Sequence, residues 1–249
     1  MMEQKRVCVA TVRQVVFEMA FLAVPLVALK YFLMNTPVMS IVIGLNLLAR
    51  FILIRRKGDW IFFLIGLICG GGNDLLSMIR GVYFYTPPTI LPAPIPIWML
   101  FFWGHIFTAF RQLFMLKQFV GPEPVGSPWK IDKRLIADVI TFAVLRWIIY
   151  SFVQQEPIPA VGYASVVILR LALVPPSLRE IKLMAVVVPL GIFYEAALIY
   201  LSLYIYHDPV FLGMPAWLMI YWAFMLPLFV KGIFERIEYA IADRGVAGD

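Results

Sequence analysis

Read for the alternation of apolar and polar positions, the chain is a succession of long apolar runs separated by short polar connections. The runs span 12–34, 36–54, 59–83, 97–119, 135–154, 161–174, 183–206 and 217–239. Each carries few charges, and most approach the roughly 20 apolar residues needed to cross a bilayer. Helices in soluble cores are shorter and amphipathic. The pattern therefore predicts an all-α integral membrane protein with eight transmembrane helices. The sixth run is the shortest and ends at Pro175 and Pro176, so it is expected to tilt, to re-enter, or to be covered by its neighbours.

The connections supply the orientation. Lys5, Arg6 and Arg13 lie at the N-terminal end, and Arg55, Arg56 and Lys57 follow the second run. Lys117, Lys130, Lys133 and Arg134 surround the fourth connection, Arg179 and Lys182 the sixth, and Lys231, Arg236 and Arg244 the tail. The intervening connections 35–36, 84–96, 155–160 and 207–216 contain no Lys or Arg. Under the positive-inside rule this alternation places both termini in the cytoplasm, and seven spans would break it. The first run is long, contains Glu18 and lacks a small-x-small cleavage site, which predicts a retained helix rather than a cleaved signal.

The pattern also repeats. At an offset of 121, Gly70, Asp74, Tyr83, Tyr85 and Pro88 fall on Gly191, Glu195, Tyr204, Tyr206 and Pro209. At an offset of 119, Pro96, Trp98 and Trp103 fall on Pro215, Trp217 and Trp222; at 120, Arg13, Glu18 and Arg50 fall on Lys133, Asp138 and Arg170. This predicts two four-helix repeats, 1–120 and 135–249, joined by a cytoplasmic linker at 121–134 within one membrane domain. Four spans per half make the repeats parallel, related by a pseudo-two-fold axis along the membrane normal, unlike the inverted repeats of many transporters.

Composition agrees, with 62% hydrophobic and 14% charged residues among 249. The net charge of +6 is spread over the connections rather than gathered into a patch, which argues against a nucleic-acid partner. Cys8 and Cys69, the only cysteines, are expected to lie too far apart for a disulfide. No phosphate loop, dinucleotide fingerprint or nucleophile elbow occurs, and no cofactor is expected. His105 and His207 belong to no metal-binding pattern, so no metal is expected either.

Candidate chemistry rests on Asp74 and Glu195. Each lies eleven residues before the second Tyr of a Tyr-x-Tyr expected at the outer interface, which at ~1.5 Å per helical residue places the acid about 16 Å down, near the midplane of a ~30 Å core. A carboxyl at such depth is costly unless protonated, paired or hydrated. Gly66, Gly70, Asp74, Ser77 and Gly81 share one helical stripe, which predicts that Asp74 faces the bundle interior; Gly191, Leu198 and Ser202 do the same for Glu195. The two acids are candidates for a general acid and base in an apolar cavity, or for hydrogen-bonded links between helices. Arg146 is a candidate counter-ion or a snorkelling side chain, and His105 a candidate proton relay or a hydrogen-bonded core residue. Glu18, Asp138, Arg50 and Arg170 are expected to form structural ion pairs near the cytoplasmic ends. Tyr83, Trp98, Trp103, Tyr204, Trp217 and Trp222 would offer aromatic faces to a substrate or cation, although Tyr and Trp favour membrane interfaces in any case.

The second-half pattern Gly191, Glu195, Tyr204, Tyr206, Pro209, Gly213, Pro215 and Trp222 resembles the integral membrane family of carotenoid biosynthesis that includes the carotenoid hydratases. The first half repeats it more loosely through Asp74, Tyr83, Tyr85, Pro96 and Trp103. It is similar also to membrane lycopene cyclases, but their paired Glu after a Pro is absent, and Trp98 and Trp217 stand nearby instead. About 50 residues carry the resemblance. It implies acid-catalysed hydration or cyclisation of an isoprenoid: one carboxyl protonates an alkene, aromatic faces stabilise the cation, and the other carboxylate directs water or accepts a proton. The leading expectation is thus a membrane enzyme acting on an isoprenoid or other lipid, in a prokaryotic inner membrane. Its alternatives are a non-catalytic subunit or scaffold of a membrane complex, with a homo-oligomer or other membrane partner, and a proton-coupled transporter.

Overall fold

The computed structural model describes residues 9–89, 94–121 and 129–246. Lys5, Arg6, Cys8, the side chain of Arg244 and part of the 121–134 linker lie outside the described residues. The chain is mostly helical. Eight helical rods follow one another among the described residues: α1 (Val12–Phe32), α2 (Thr36–Leu53), α3 (Asp59–Ile79), α4 (Ile97–Phe114), α5 (Lys133–Phe152), α6 (Ile158–Leu173), α7 (Leu178–Tyr200) and α8. The last runs through Ala216–Phe224, a wider π-helical stretch Met225–Val230 that contains Pro227, and Lys231–Val246.

Local chemistry sets the starts. Thr11 and Gln14 form a capping box before α1, as Ser177 and Glu180 do before α7, each satisfying otherwise unpaired backbone N–H groups. Asn35 caps α2, which has a Pro in its first turn, and Asp132 caps α5.

Six rods are long and apolar enough to cross a membrane: α1, α2, α3, α5, α7 and α8. Large apolar side chains such as Ile41, Ile68, Trp147 and Phe193 are exposed along them, as lipid-facing surfaces require. This is a multi-pass membrane protein. Of the other two rods, α4 is enclosed by its neighbours, while α6 is shorter and exposes Val161, Ile168 and Leu169. The central helix α4 packs against α1, α2, α3 and α8 and buries His105, Arg111 and Gln112. The 16-residue α6 lies against α5 and α8.

The largest departure from the sequence-based expectation is at the ends of α3 and α7. The runs 59–83 and 183–206 are not helical to their ends. Gly81 adopts φ +70° and Ser202 φ +59°, a conformation that terminates a helix. The amides of Val82 and Leu203 then reach back to the carbonyls of Ser77 and Leu198, at 2.9 and 3.0 Å. Beyond these stops the chain extends into β1 (Tyr83–Tyr85) and β2 (Tyr204–Tyr206), which pair antiparallel with Tyr83 opposite Tyr206, Phe84 opposite Ile205 and Tyr85 opposite Tyr204. The ribbon stitches the elements following α3 to those following α7. The Thr86 amide extends it to the Leu203 carbonyl at 3.0 Å.

At the other end of the bundle the expected ion pairs form. Arg50 Nε donates to Glu18 at 2.9 Å, and Arg170 Nε to Asp138 at 2.7 Å. Arg50 continues to Asp59 at 2.7 Å, Asp59 to Arg111, and Arg111 to Glu238 at 2.6 Å. This buried net ties α1, α2, α3, α4 and α8 together, and the mutual pairing offsets the cost of removing its charges from water.

Candidate functional site: two acids beneath a tyrosine ribbon

Strand periodicity builds the site. Side chains alternate across a strand, so Phe84 and Ile205 point outward, 52% and 63% exposed, while the four tyrosines point inward over α3 and α7. Tyr83 packs against Tyr206 at 5.1 Å and Tyr204 at 5.6 Å between ring centroids, and Tyr85 against Tyr204 at 5.6 Å. Beneath the rings lie Asp74 on α3 and Glu195 on α7, 2% and 8% exposed. Tyr85 donates its hydroxyl to Asp74 at 2.5 Å, and Tyr206 donates to Glu195 at 2.6 Å. The ribbon thus folds each Tyr-x-Tyr back onto the acid eleven residues before it. Trp103 Nε1 on α4 adds a second donor to Asp74 at 2.9 Å, and the Tyr204 hydroxyl also lies against Glu195.

This corrects the expected length of helix beyond each acid. Asp74 and Glu195 each lie five residues before the end of their helix, at Ile79 and Tyr200, or about 7.5 Å along the axis rather than about 16 Å. The earlier figure assumed helix through the tyrosines.

Close helix contacts hold the cluster. A Cβ at Gly70 would meet the Trp103 ring at 2.7 Å, and one at Gly191 would meet the Trp222 ring at 2.3 Å; only glycine admits the indoles there. The two indoles nevertheless differ. Trp103 is bonded to its acid, whereas Trp222 Nε1 is buried without a partner.

The remaining expected site residues divide. Tyr83, Tyr204 and Trp103 belong to the cluster, and Trp217 joins it through Tyr206, at 6.1 Å between rings. Arg146 stands at its edge. Its guanidinium lies over the Tyr221 ring at 4.5 Å and its Nη1 is 3.5 Å from Ser77 Oγ. No salt bridge joins it to either carboxyl among the described residues, so it is not a bonded counter-ion. Trp98 is fully buried with an unpartnered indole nitrogen. His105 is not in the cluster: its Nε2 lies 3.8 Å from Glu18 in the ion net at the opposite end of the bundle, so it cannot relay protons to Asp74 or Glu195. Neither ring nitrogen has a hydrogen-bond partner, contrary to the hydrogen-bonded alternative as well.

Tyr85 and Tyr206, which the sequence marks as repeated but not as site residues, make the two shortest bonds to the acids. Their signal was the two-residue alternation of Tyr-x-Tyr, a strand pattern. Asp59, Arg111 and Glu238 were passed over by sequence reasoning. Among the described residues no group of three or more His, Cys, Asp or Glu is placed to hold a metal.

No known protein family and no curated protein sequence matches the chain. Its fold is similar to that of the mycobacterial Insig homologue MvINS from Mycobacterium vanbaalenii, with a TM-score of 0.54 and 17% identity over 77% of this chain and 98% of that one. A cross-linked trimer of an MvINS variant superimposes with a TM-score of 0.51, at the same identity and coverage. At this identity the likeness is one of fold.

Proposed function

We propose that this chain is a non-catalytic scaffold protein of a membrane complex, and that Asp74 and Glu195 are a structural clasp between its two halves. One observation carries the reading: the carboxyls that would do acid and base chemistry already accept hydrogen bonds from Tyr85, Trp103 and Tyr206 within a closed aromatic cluster. Buried polar groups satisfied in this way fix helix positions. In this reading the bundle crosses a prokaryotic inner membrane eight times with both termini cytoplasmic. It is a duplicated four-helix unit, 1–120 and 135–249, with 121–134 as the linker. The matched helix stops at Gly81 and Ser202, the two acid–tyrosine bonds and the ion pairs Glu18–Arg50 and Asp138–Arg170 support the duplication. Partners are further membrane subunits, copies of the chain among them; the cross-linked trimer of the MvINS variant supports self-assembly.

The test is cross-linking in intact membranes, followed by sizing of the protein in lipid nanodiscs. Stoichiometric complexes, with Asp74→Asn and Glu195→Gln altering stability but no turnover, are expected. A monomer that converts an isoprenoid, and stops doing so in either variant, would contradict the scaffold reading.

A second reading keeps the hydratase-type chemistry. Its support is that both acids lie beneath one tyrosine ribbon, Asp74 bonded to Tyr85 and Trp103 and Glu195 to Tyr206. Incubation with an acyclic carotenoid, followed by mass spectrometry for added water, separates the two readings.

A further inference from the structure

The basic end of the bundle is closed in one half and open in the other. In the first half Glu18, Arg50, Asp59 and Arg111 form a continuous buried net. At offsets of 120 or 121 the corresponding residues are Asp138, Arg170, Glu180 and Lys231, and there the net is broken. Arg170 binds Asp138 and the Val174 carbonyl, leaving its Nη2 buried without a partner. Glu180 is taken by Arg134, and Lys231 by Glu235 at 2.7 Å.

Where the second net would close, a cleft of about 1070 Å³ opens between α5, α7 and α8, with Asp138, Glu180 and Lys231 among its walls. Its exposed rim carries Lys117, Arg179 and Lys182. None of these three has an acidic partner among the described residues; Arg179 donates to the Val120 carbonyl at 2.7 Å. The other acids facing the cleft are committed, Asp132 to Arg236 at 2.5 Å and Glu235 to Lys231. Six cations therefore face four acids, and the surplus sits on the rim. Unpaired cations converging on a concave site between membrane helices, at their basic ends, match the charge and depth of a phosphate group at the bilayer surface.

We infer that this cleft binds a phosphate-bearing anion, with Lys117, Arg179 and Lys182 as its ligands. The anion is either an acidic phospholipid headgroup or a soluble phosphate. The inference is independent of the scaffold reading, because it concerns a different end of the molecule and is read by binding alone.

The test is thermal unfolding of the detergent-purified protein with added phosphatidylglycerol, phosphatidylcholine or inorganic phosphate. Wild type, the double variant Arg179→Glu with Lys182→Glu, and the control Arg55→Glu are compared. All three altered positions are exposed, so the variants are expected to fold. Arg55 is a basic residue of the same end outside the cleft. Phosphatidylglycerol is expected to stabilise wild type and the control while phosphatidylcholine does not. The double variant is expected to bind about ten- to a hundredfold more weakly, as loss of charge-assisted hydrogen bonds implies. The same dependence with inorganic phosphate would identify a soluble ligand and also support the site. Equal loss in the Arg55→Glu control, or no stabilisation by either anion, would overturn it.

Discussion

A carboxyl in a membrane interior is tolerated where donors occupy its oxygens, and here tyrosine hydroxyls and one indole do so. Tyr85→Phe and Tyr206→Phe each remove one donor from a buried acid. Each is expected to cost about 1–3 kcal/mol, read as a lower midpoint of thermal unfolding in detergent; an unchanged midpoint would make the bonds incidental. Outside the spans, burial first and the nearby charge of Asp208 second raise the Glu156 carboxyl above its ordinary 4.5. A carboxyl raised on folding opposes folding once ionised. That penalty is absent below its ordinary value and grows as pH rises through the folded value. Glu156→Gln is therefore expected to leave stability unchanged in acid and to raise it at neutral pH. An equal shift at both would remove the electrostatic cause. The acids themselves were legible in the sequence because charge stands out in an apolar run. Their donors were not, because a tyrosine near a membrane surface has an ordinary reason to be there.

Whole elements show the same division. Hydrophobic runs place each of the eight rods, with ends off by up to seven residues, since length and composition decide a lipid-exposed helix. They miss the stops of α3 and α7, where backbone hydrogen bonding rather than hydropathy ends the helix. Gly81 is a readable stop signal, but Ser202, its counterpart, is not. Close packing is legible as a small-residue stripe, without revealing which glycine matters. Gly191→Ala would drive a methyl into the Trp222 ring, at a cost of about 1–3 kcal/mol. A Cβ at Gly72 meets nothing within 4 Å, so Gly72→Ala is expected to be neutral or stabilising by up to about 1 kcal/mol. Equal losses in the two variants, measured by thermal unfolding, would show that indole contact is not what holds α7 against α8.

At the scale of the molecule, the elements before and after the 121–134 segment are joined at one end by a β-ribbon and at the other by buried ion pairs. The offsets among Asp74, Glu195 and the tyrosines were legible, while the pairing of β1 with β2 and the reach of Arg111 to Glu238 required the fold. Phe84 and Ile205 face each other on the outer side of the ribbon. Cysteines at both positions are expected to cross-link on oxidation, so that protease cleavage within the linker leaves the halves joined until reduction; release without reduction would deny the ribbon. The clasp itself is tested most directly by the unfolding free energy of Asp74→Leu and Glu195→Leu, which remove the acceptors and suit a membrane helix. Stranding the tyrosine and indole donors is expected to lower stability by about 1–3 kcal/mol per donor. Stability equal to or above that of wild type, the usual result of removing a catalytic carboxyl, would contradict a structural clasp.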